Sequence, residues 1–419
     1  MNLTLAPAAG RRARAPWLWL WALGALAAPA AGEIEICWDD LRIAAGNHPL
    51  AGMAAADLAA AEAELAAMSR YPNPVVGFAL GQTRTDATGS RGRVWETEAA
   101  VPVPVPPVWR GRVAAARAER SAVADEADGA RRDALAGLRA LVWEIDHGQE
   151  ALSLLEQARA QLGRLVDVAR LRVAHGEARP LEATQLEVEL ARADLDVRAA
   201  ESRLAARQRA LALWLPGTLP AEFRLASELA HLPELPPAET AAALALARQP
   251  ALQAARQRAL AAGHLLRAER HARWPELTVG AFYEREPEGE RYGGRVELAL
   301  PLWNWNGPAI QRARAQAARA EHRLRHEATL IEVQAGEIHA AAASARERAL
   351  RYRDELMPRT EQTALALERL YRVGEADLLE LLSARREAIQ MGLEMWAALL
   401  EAQLTAQQLT LLMGGDDHE

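Results

Sequence analysis

Arg372-Val373-Gly374-Glu375-Ala376 repeats the glycine, glutamate and alanine of Ala174-His175-Gly176-Glu177-Ala178, about 200 residues earlier. Other landmarks keep nearly the same spacing: Pro49 with Pro250, Arg70-Tyr71-Pro72 with Arg273-Trp274-Pro275, and Gly77 with Gly280. Matches spread so widely within each half indicate duplication of a whole architecture, not of a local motif. The Pro-rich stretch 216–237 then reads as the link between a first copy, 32–215, and a second, 238–413, with 414–419 a short tail.

Each copy reads in the same order. A helix comes first, over 39–69 and 237–272. Two extended segments follow, 74–84 and 93–105 in the first copy, 276–284 and 291–300 in the second. The turns between them, TDATGSRG and REPEGE, are rich in Gly, Asp, Glu and Thr. A Pro/Gly junction then opens a helix that runs to Gly176 or Gly374, from which a shorter helix returns to near Leu215 or Met413. At 1.5 Å per residue the span from Pro107 to Gly176 is roughly 100 Å, too long for a compact domain. The first helix and the return helix together match that length end to end. The expectation is an elongated antiparallel bundle, with Leu152, Leu155, Leu162, Leu165 and Val166 marking a coiled-coil seam. Glycine at 176 and 374 supplies the left-handed backbone a reversal needs. Val173, Pro180 and Leu181, and Val373, Leu378 and Leu379, put apolar groups at the two tips.

Composition agrees with long helices. Half of the residues are hydrophobic but only 5% are aromatic, and alanine is the commonest of the apolar residues. All 49 basic side chains are arginines, yet the net charge of −7 and the lack of a basic patch exclude a nucleic-acid partner. The single cysteine, Cys37, excludes an intramolecular disulfide framework. Ile34-Glu35-Ile36 before it lacks the small residues that a lipid-anchoring signal needs. Residues 1–31 have the plan of a secretory signal peptide: Arg11, Arg12 and Arg14, a short apolar core over 16–28, then Ala28-Pro29-Ala30.

The extended segments alternate. Leu277, Val279, Ala281 and Tyr283 share one face, as do Val296, Leu298 and Leu300, while Arg295 and Glu297 face the other way. Segments of about ten residues with one apolar face suit tilted strands crossing a bilayer. Four strands cannot close a barrel, so other copies of the chain must pair the edges.

These features together resemble the TolC-like outer-membrane factors. The strings YPNPVVGF, WPELTVGAF and LPLWNWNGPAIQRARAQ resemble the cobalt-zinc-cadmium metal-exporting branch, with Leu300-Pro301-Leu302-Trp303 and Asn306-Gly307 matching its entry into the second long helix and Trp303 replacing Phe. The resemblance implies a mainly α chain forming a periplasmic α-barrel, with four strands contributed to a trimeric 12-stranded membrane β-barrel. It implies a homotrimer in outer-membrane lipid that docks on a periplasmic adaptor and an inner-membrane RND-type pump, and that performs no chemistry and uses no cofactor. The expected function is a passive exit duct for heavy-metal cations in a tripartite efflux system. Alternatives are a duct for drug efflux or type I protein secretion, or a periplasmic coiled-coil scaffold or adaptor that forms no channel.

The resemblance also assigns residues. The tips Val173, Gly176, Leu181, Val373, Gly374 and Leu378 would meet the adaptor. Acids six and nine residues beyond the second glycine would line the periplasmic mouth; the first is Glu380, and the second is Ser383, a departure that removes one ring of charge. Asp377, one turn nearer the tip, would join Glu380 at the gate. His322 and His326, four apart and flanked by Glu321 and Glu327, have the spacing of two metal ligands on one helix face but no evident third. No phosphate loop, nucleophile elbow or HExxH pattern supports an enzyme.

Overall fold

The computed structural model describes residues 34–36, 41, 48–84, 91–214, 223–225, 229–286 and 289–415. The signal-peptide segment and Cys37 lie outside the described residues. Chain order is β1 (Ile34–Ile36), α1 (Pro49–Ser69), β2 (Val75–Arg84), β3 (Arg91–Val103), α2 (Pro106–Ala174), α3 (Pro180–Trp214), β4 (Phe223–Leu225), α4 (Ala238–Arg248), α5 (Pro250–His271), β5 (Leu277–Glu286), β6 (Gly289–Leu298), α6 (Gly307–Arg351), a π-turn over Tyr352–Leu356, α7 (Met357–Val373) and α8 (Leu378–Leu412). Among the described residues no helix is long and apolar enough to cross a membrane.

Two helices that sequence reading runs through are interrupted, each by a proline. Pro250 has no N–H to donate and bars helical backbone at the preceding residue, so Gln249 is extended (φ −60°, ψ 120°) and the expected helix 237–272 becomes α4 and α5. Pro49 opens α1 in the same way after an extended His48. Pro358 lies inside the second long helix, and the π-turn just before it takes up the lost hydrogen bond. A further difference is β1, which pairs in parallel with β4 from the inter-copy link.

The 69-residue α2 is the spine. α1 packs on it near the sheet, where Trp109 Nε1 donates to the Met68 carbonyl at 3.1 Å, and α3 returns along its other end. α5 lies on α2 through small residues: Ala115 and Ala118 meet Ala261, and a Cβ on Gly111 would stand 2.9 Å from that of Ala268. Alanine and glycine let the backbones approach where leucines would hold them apart. Arg258 of α5 fastens the seam by donating to Glu119 (3.2 Å) and to Glu126 (2.7 Å) of α2. α6 packs on α5, giving a helical wall in the order α1, α2, α5, α6. α8 returns along α6 and α7 and also touches α2, where Gly392 sits against Leu154.

That last contact is testable. A Cβ on Gly392 would stand 2.6 Å from a Leu154 methyl, whereas Gly163 on α2 has open space around it. Gly392→Val is expected to overpack the α2–α8 seam and destabilise the chain by about 1–3 kcal/mol. Gly163→Ala should stabilise it by about 1 kcal/mol. Thermal unfolding in detergent checks both signs.

Candidate channel wall and periplasmic mouth

The sheet has the order β2, β3, β5, β6, antiparallel throughout. Because Phe78 pairs with Thr97, Ala99 with Ala281 and Val279 with Val296, side-chain alternation assigns every strand a face. One face carries Val76, Phe78, Leu80, Trp95, Val101, Val279, Tyr283, Val296 and Leu298. The other carries Glu96, Glu98, Glu284, Arg291, Arg295 and Glu297. On this polar face Arg295 stands opposite Gly280, and the missing side chain lets it reach over β5 to Glu98 at 2.5 Å. Glu297 (3.7 Å) and Glu96 (3.9 Å) complete the cluster. The apolar face is bare: Phe78 is 65% exposed, Leu80 75% and Val296 70%. Aromatic side chains mark both ends of the sheet. Trp95, Tyr283 and Tyr292 lie toward the hairpin turns, and exposed Trp274, Trp303 and Trp305 lie at the corners where strands meet helices.

At the far end the two glycine turns come together and share one design. Gly176 (φ 75°) and Gly374 (φ 81°) are left-handed. Glu177 N–H donates to the Arg172 carbonyl at 2.8 Å, and Glu375 N–H to that of Leu370 at 2.9 Å, which is the Schellman closure. Leu165, Val166 and Ala169 of α2, Leu186 of α3, Tyr371 of α7 and Leu378, Leu381 and Leu382 of α8 form one buried cluster beneath both turns. The Arg172 guanidinium lies 5.8 Å from the Tyr371 ring centre, joining one tip to the other.

Ion pairs carry the link upward from the tips. Arg386 of α8 grips Glu189 of α3 with two nitrogens (3.0 and 2.5 Å), and Arg192 adds a third contact at 2.7 Å. Arg385 donates to Gln161 of α2 at 2.5 Å and to Glu368 of α7, which also receives Arg372. Burial, with Arg164 nearby, pushes the Arg385 guanidinium down from its ordinary value. Consecutive arginines on one helix thus hold three other helices.

Against known families, residues 41–216 match "Outer membrane efflux protein". The match spans most of the first copy of the repeat. Over 384 residues the chain is 25% identical to the cobalt-zinc-cadmium resistance protein CzcC of Cupriavidus metallidurans, covering 89% of this chain and 88% of that protein. Its fold is that of the outer-membrane channel OprN, with a TM-score of 0.76 at 16% identity and 90% of each chain covered. It is likewise that of the Campylobacter jejuni CmeC outer membrane channel, with a TM-score of 0.75 at 15% identity, covering 91% of this chain and 86% of that one. These likenesses are to transport proteins and not to enzymes.

The two copies of the repeat place the expected tip residues unequally. Val373 (70% exposed), Leu181 (63%) and Leu379 (60%) are open to solvent, and Val173 is half-buried. Leu378 is not part of the exposed tip: at 2% exposure it is a core side chain of the shared cluster. The first turn of α8 points residue 378 inward and residue 379 outward, a distinction that both being leucine hides. Asp377 is the N-cap of α8, its carboxylate accepting the Leu378 N–H at 2.8 Å, and Glu380 follows in the first turn. Both acids are exposed. His322 and His326 are exposed on α6, His322 Nδ1 lying 3.3 Å from Arg325, and no group of metal-ligating side chains is assembled among the described residues.

Leu378→Ala is therefore expected to lower stability by about 2–5 kcal/mol. Leu379→Ser and Leu181→Ser should leave it within about 0.5 kcal/mol. Thermal unfolding separates the two groups, which makes Leu379 and Leu181 the positions at which docking can be probed cleanly.

Proposed function

We propose that this chain is the outer-membrane exit duct of a tripartite efflux system for heavy-metal cations. The two-faced sheet carries the reading. An apolar face bounded by aromatic rims suits lipid, and a charged opposite face suits a water-filled lumen. The helices would lie on the periplasmic side, with the glycine tips at the far end. Three copies would supply twelve strands and close the sheet. Exposed Val373, Leu379 and Leu181 would receive the periplasmic adaptor, which links the duct to an inner-membrane RND-type pump. The likeness to a cobalt-zinc-cadmium resistance protein along nearly the full length supports metal cations over drugs or secreted proteins.

Deleting the protein should make cells sensitive to zinc, cobalt and cadmium ions, and re-expression should restore resistance. Sensitivity to organic dyes alone would move the substrate to drugs. A mass measurement in mild detergent is expected to give a trimer, and a stable monomer would remove the channel reading.

The mouth is proposed to be gated by Asp377 and Glu380. Three copies would place rings of carboxylates around a constriction, attracting cations and crowding like charges. Asn still caps a helix, so Asp377→Asn with Glu380→Gln removes charge without unmaking the start of α8. The double variant should lose cation selectivity and block by divalent ions in planar bilayers. Unchanged conductance would place these acids off the mouth.

A further inference from the structure

The repeated strings Arg70-Tyr71-Pro72 and Arg273-Trp274-Pro275 stand at equivalent corners, each between the helix that leads up to the sheet and the first strand of its hairpin. Arg70 caps α1 on extended backbone, and Arg273 directly follows the cap of α5. The proline keeps the aromatic residue before it out of helical backbone, and the two rings are left nearly equally bare, Tyr71 at 70% exposure and Trp274 at 67%. Side-chain contacts bring further residues to each corner. The Tyr71 ring stacks on Trp109 with centres 5.4 Å apart, which brings the start of α2, with Arg110, to the first corner. Asn306 holds Glu269 at the end of α5, which brings Trp303 and Trp305 to the corner of Arg270 and Arg273.

Charge is one-sided here. The stretches that meet at this rim, 65–75, 104–111, 270–276 and 299–308, hold those four arginines, His271 and a single further acid beyond Glu269, Glu276. Arg70, Arg110, Arg270 and Arg273 are exposed, and none has an ion-pair partner among the described residues. Glu269 is already engaged by Asn306 and, at 3.7 Å, by Arg112. The rim at the hairpin turns differs, for Arg285 pairs with Glu290 at 3.8 Å and Arg291 with Glu284 at 3.2 Å. On a chain of net charge −7, one end of the sheet is thus a cationic belt set with exposed tryptophans.

We propose that this belt binds anionic phospholipid headgroups of the leaflet facing the periplasm, with Arg70 and Arg273 as equivalent phosphate-binding residues, one from each copy. The proposal rests on the bilayer reading of the sheet and adds the lipid chemistry that one rim selects. A guanidinium donates two parallel hydrogen bonds to a phosphate, and its long stem lies along apolar surface while the charge sits at headgroup depth. Tyr and Trp favour the same depth, with an apolar ring and a polar edge. Phosphatidylcholine carries an ammonium beside its phosphate, and that cation would meet four arginines and almost no acid. Phosphatidylglycerol presents the phosphate without it.

Mass spectrometry of the protein in detergent, after exchange into equal amounts of phosphatidylglycerol and phosphatidylcholine with matched acyl chains, tests the selection. The wild type should retain phosphatidylglycerol over phosphatidylcholine by about fivefold, the effect of one arginine at an anionic surface. Arg70→Gln with Arg273→Gln should bring the ratio close to unity with the assembly mass unchanged. Arg70→Lys with Arg273→Lys keeps the charge and should keep most of the preference. Arg285→Gln with Arg291→Gln, at the other rim, should leave it as in the wild type. Equal retention of both lipids by the wild type, or a preference that survives the glutamine variant, would overturn the proposal and leave the bilayer reading standing. So would a lysine variant, or a variant of the other rim, that loses the preference as fully as the glutamine variant. Retention of neither lipid would remove the bilayer reading itself.

Discussion

A strand edge cannot face hydrocarbon with its N–H and C=O groups unpaired. This chain has two such edges, on β2 and β6, and one sheet face whose aliphatic and aromatic side chains are largely exposed. Everything else in the molecule serves the closing of that sheet. A hairpin from each copy supplies half of the strands, and the β3–β5 ladder joins the halves inside the chain. On the proposed channel reading, what remains open would be met by repetition of the chain, and the barrel's completeness would belong to the assembly and not to the protomer.

The helices face a different constraint. A helix of 69 residues exposes more surface than one neighbour can cover, and the chain covers it with shorter helices laid in succession: α1 and α3 along α2, with α5 beside them. Alanine makes this possible. Ala115, Ala118, Ala122, Ala254 and Ala261 are buried where a coiled coil would usually place leucine, and the larger side chains gather in clusters midway along α2 and beneath the tips. Each alanine buries little apolar area. Close backbone approach and cross-helix ion pairs such as Arg258 with Glu119 and Glu126 make up part of the difference.

Periodic features are legible in the sequence itself. The strand faces follow from alternation, and the helix reversals from Gly176 and Gly374, both left-handed as their position demands. Non-periodic ones are less so. Pro250 announced the break between α4 and α5, and Pro358 the π-turn, but each lies in a run of good helix formers that masks a single breaker. The three-residue strands β1 and β4 are too short to show any period and pair across nearly 190 residues, so only the fold joins them. Leu378 shows another limit: an apolar residue beside a turn is read as exposed or buried only once the helix's rotation is known. The clasp of Arg385 and Arg386 onto three helices was equally hidden, because arginine and glutamate recur on every face of this chain.

The corners between strands and helices explain why wall and sheet share one order. They are too short to let a helix cross over its neighbour. Val105 leads directly into Pro106 and Pro107, whose fixed backbone suits the first turn of α2. In the second copy Asn306 takes the left-handed conformation (φ 58°), and its amide donates to the carbonyl and carboxylate of Glu269 at the end of α5. That bond fixes where α6 starts relative to the helix that leads into β5. Each strand is thereby bound to the helix that continues it, and the neighbour relations of the sheet pass unchanged into the wall. A protomer built this way has a left edge and a right edge along its whole length, so whatever pairs the strands of adjoining copies must also bring their helices side by side.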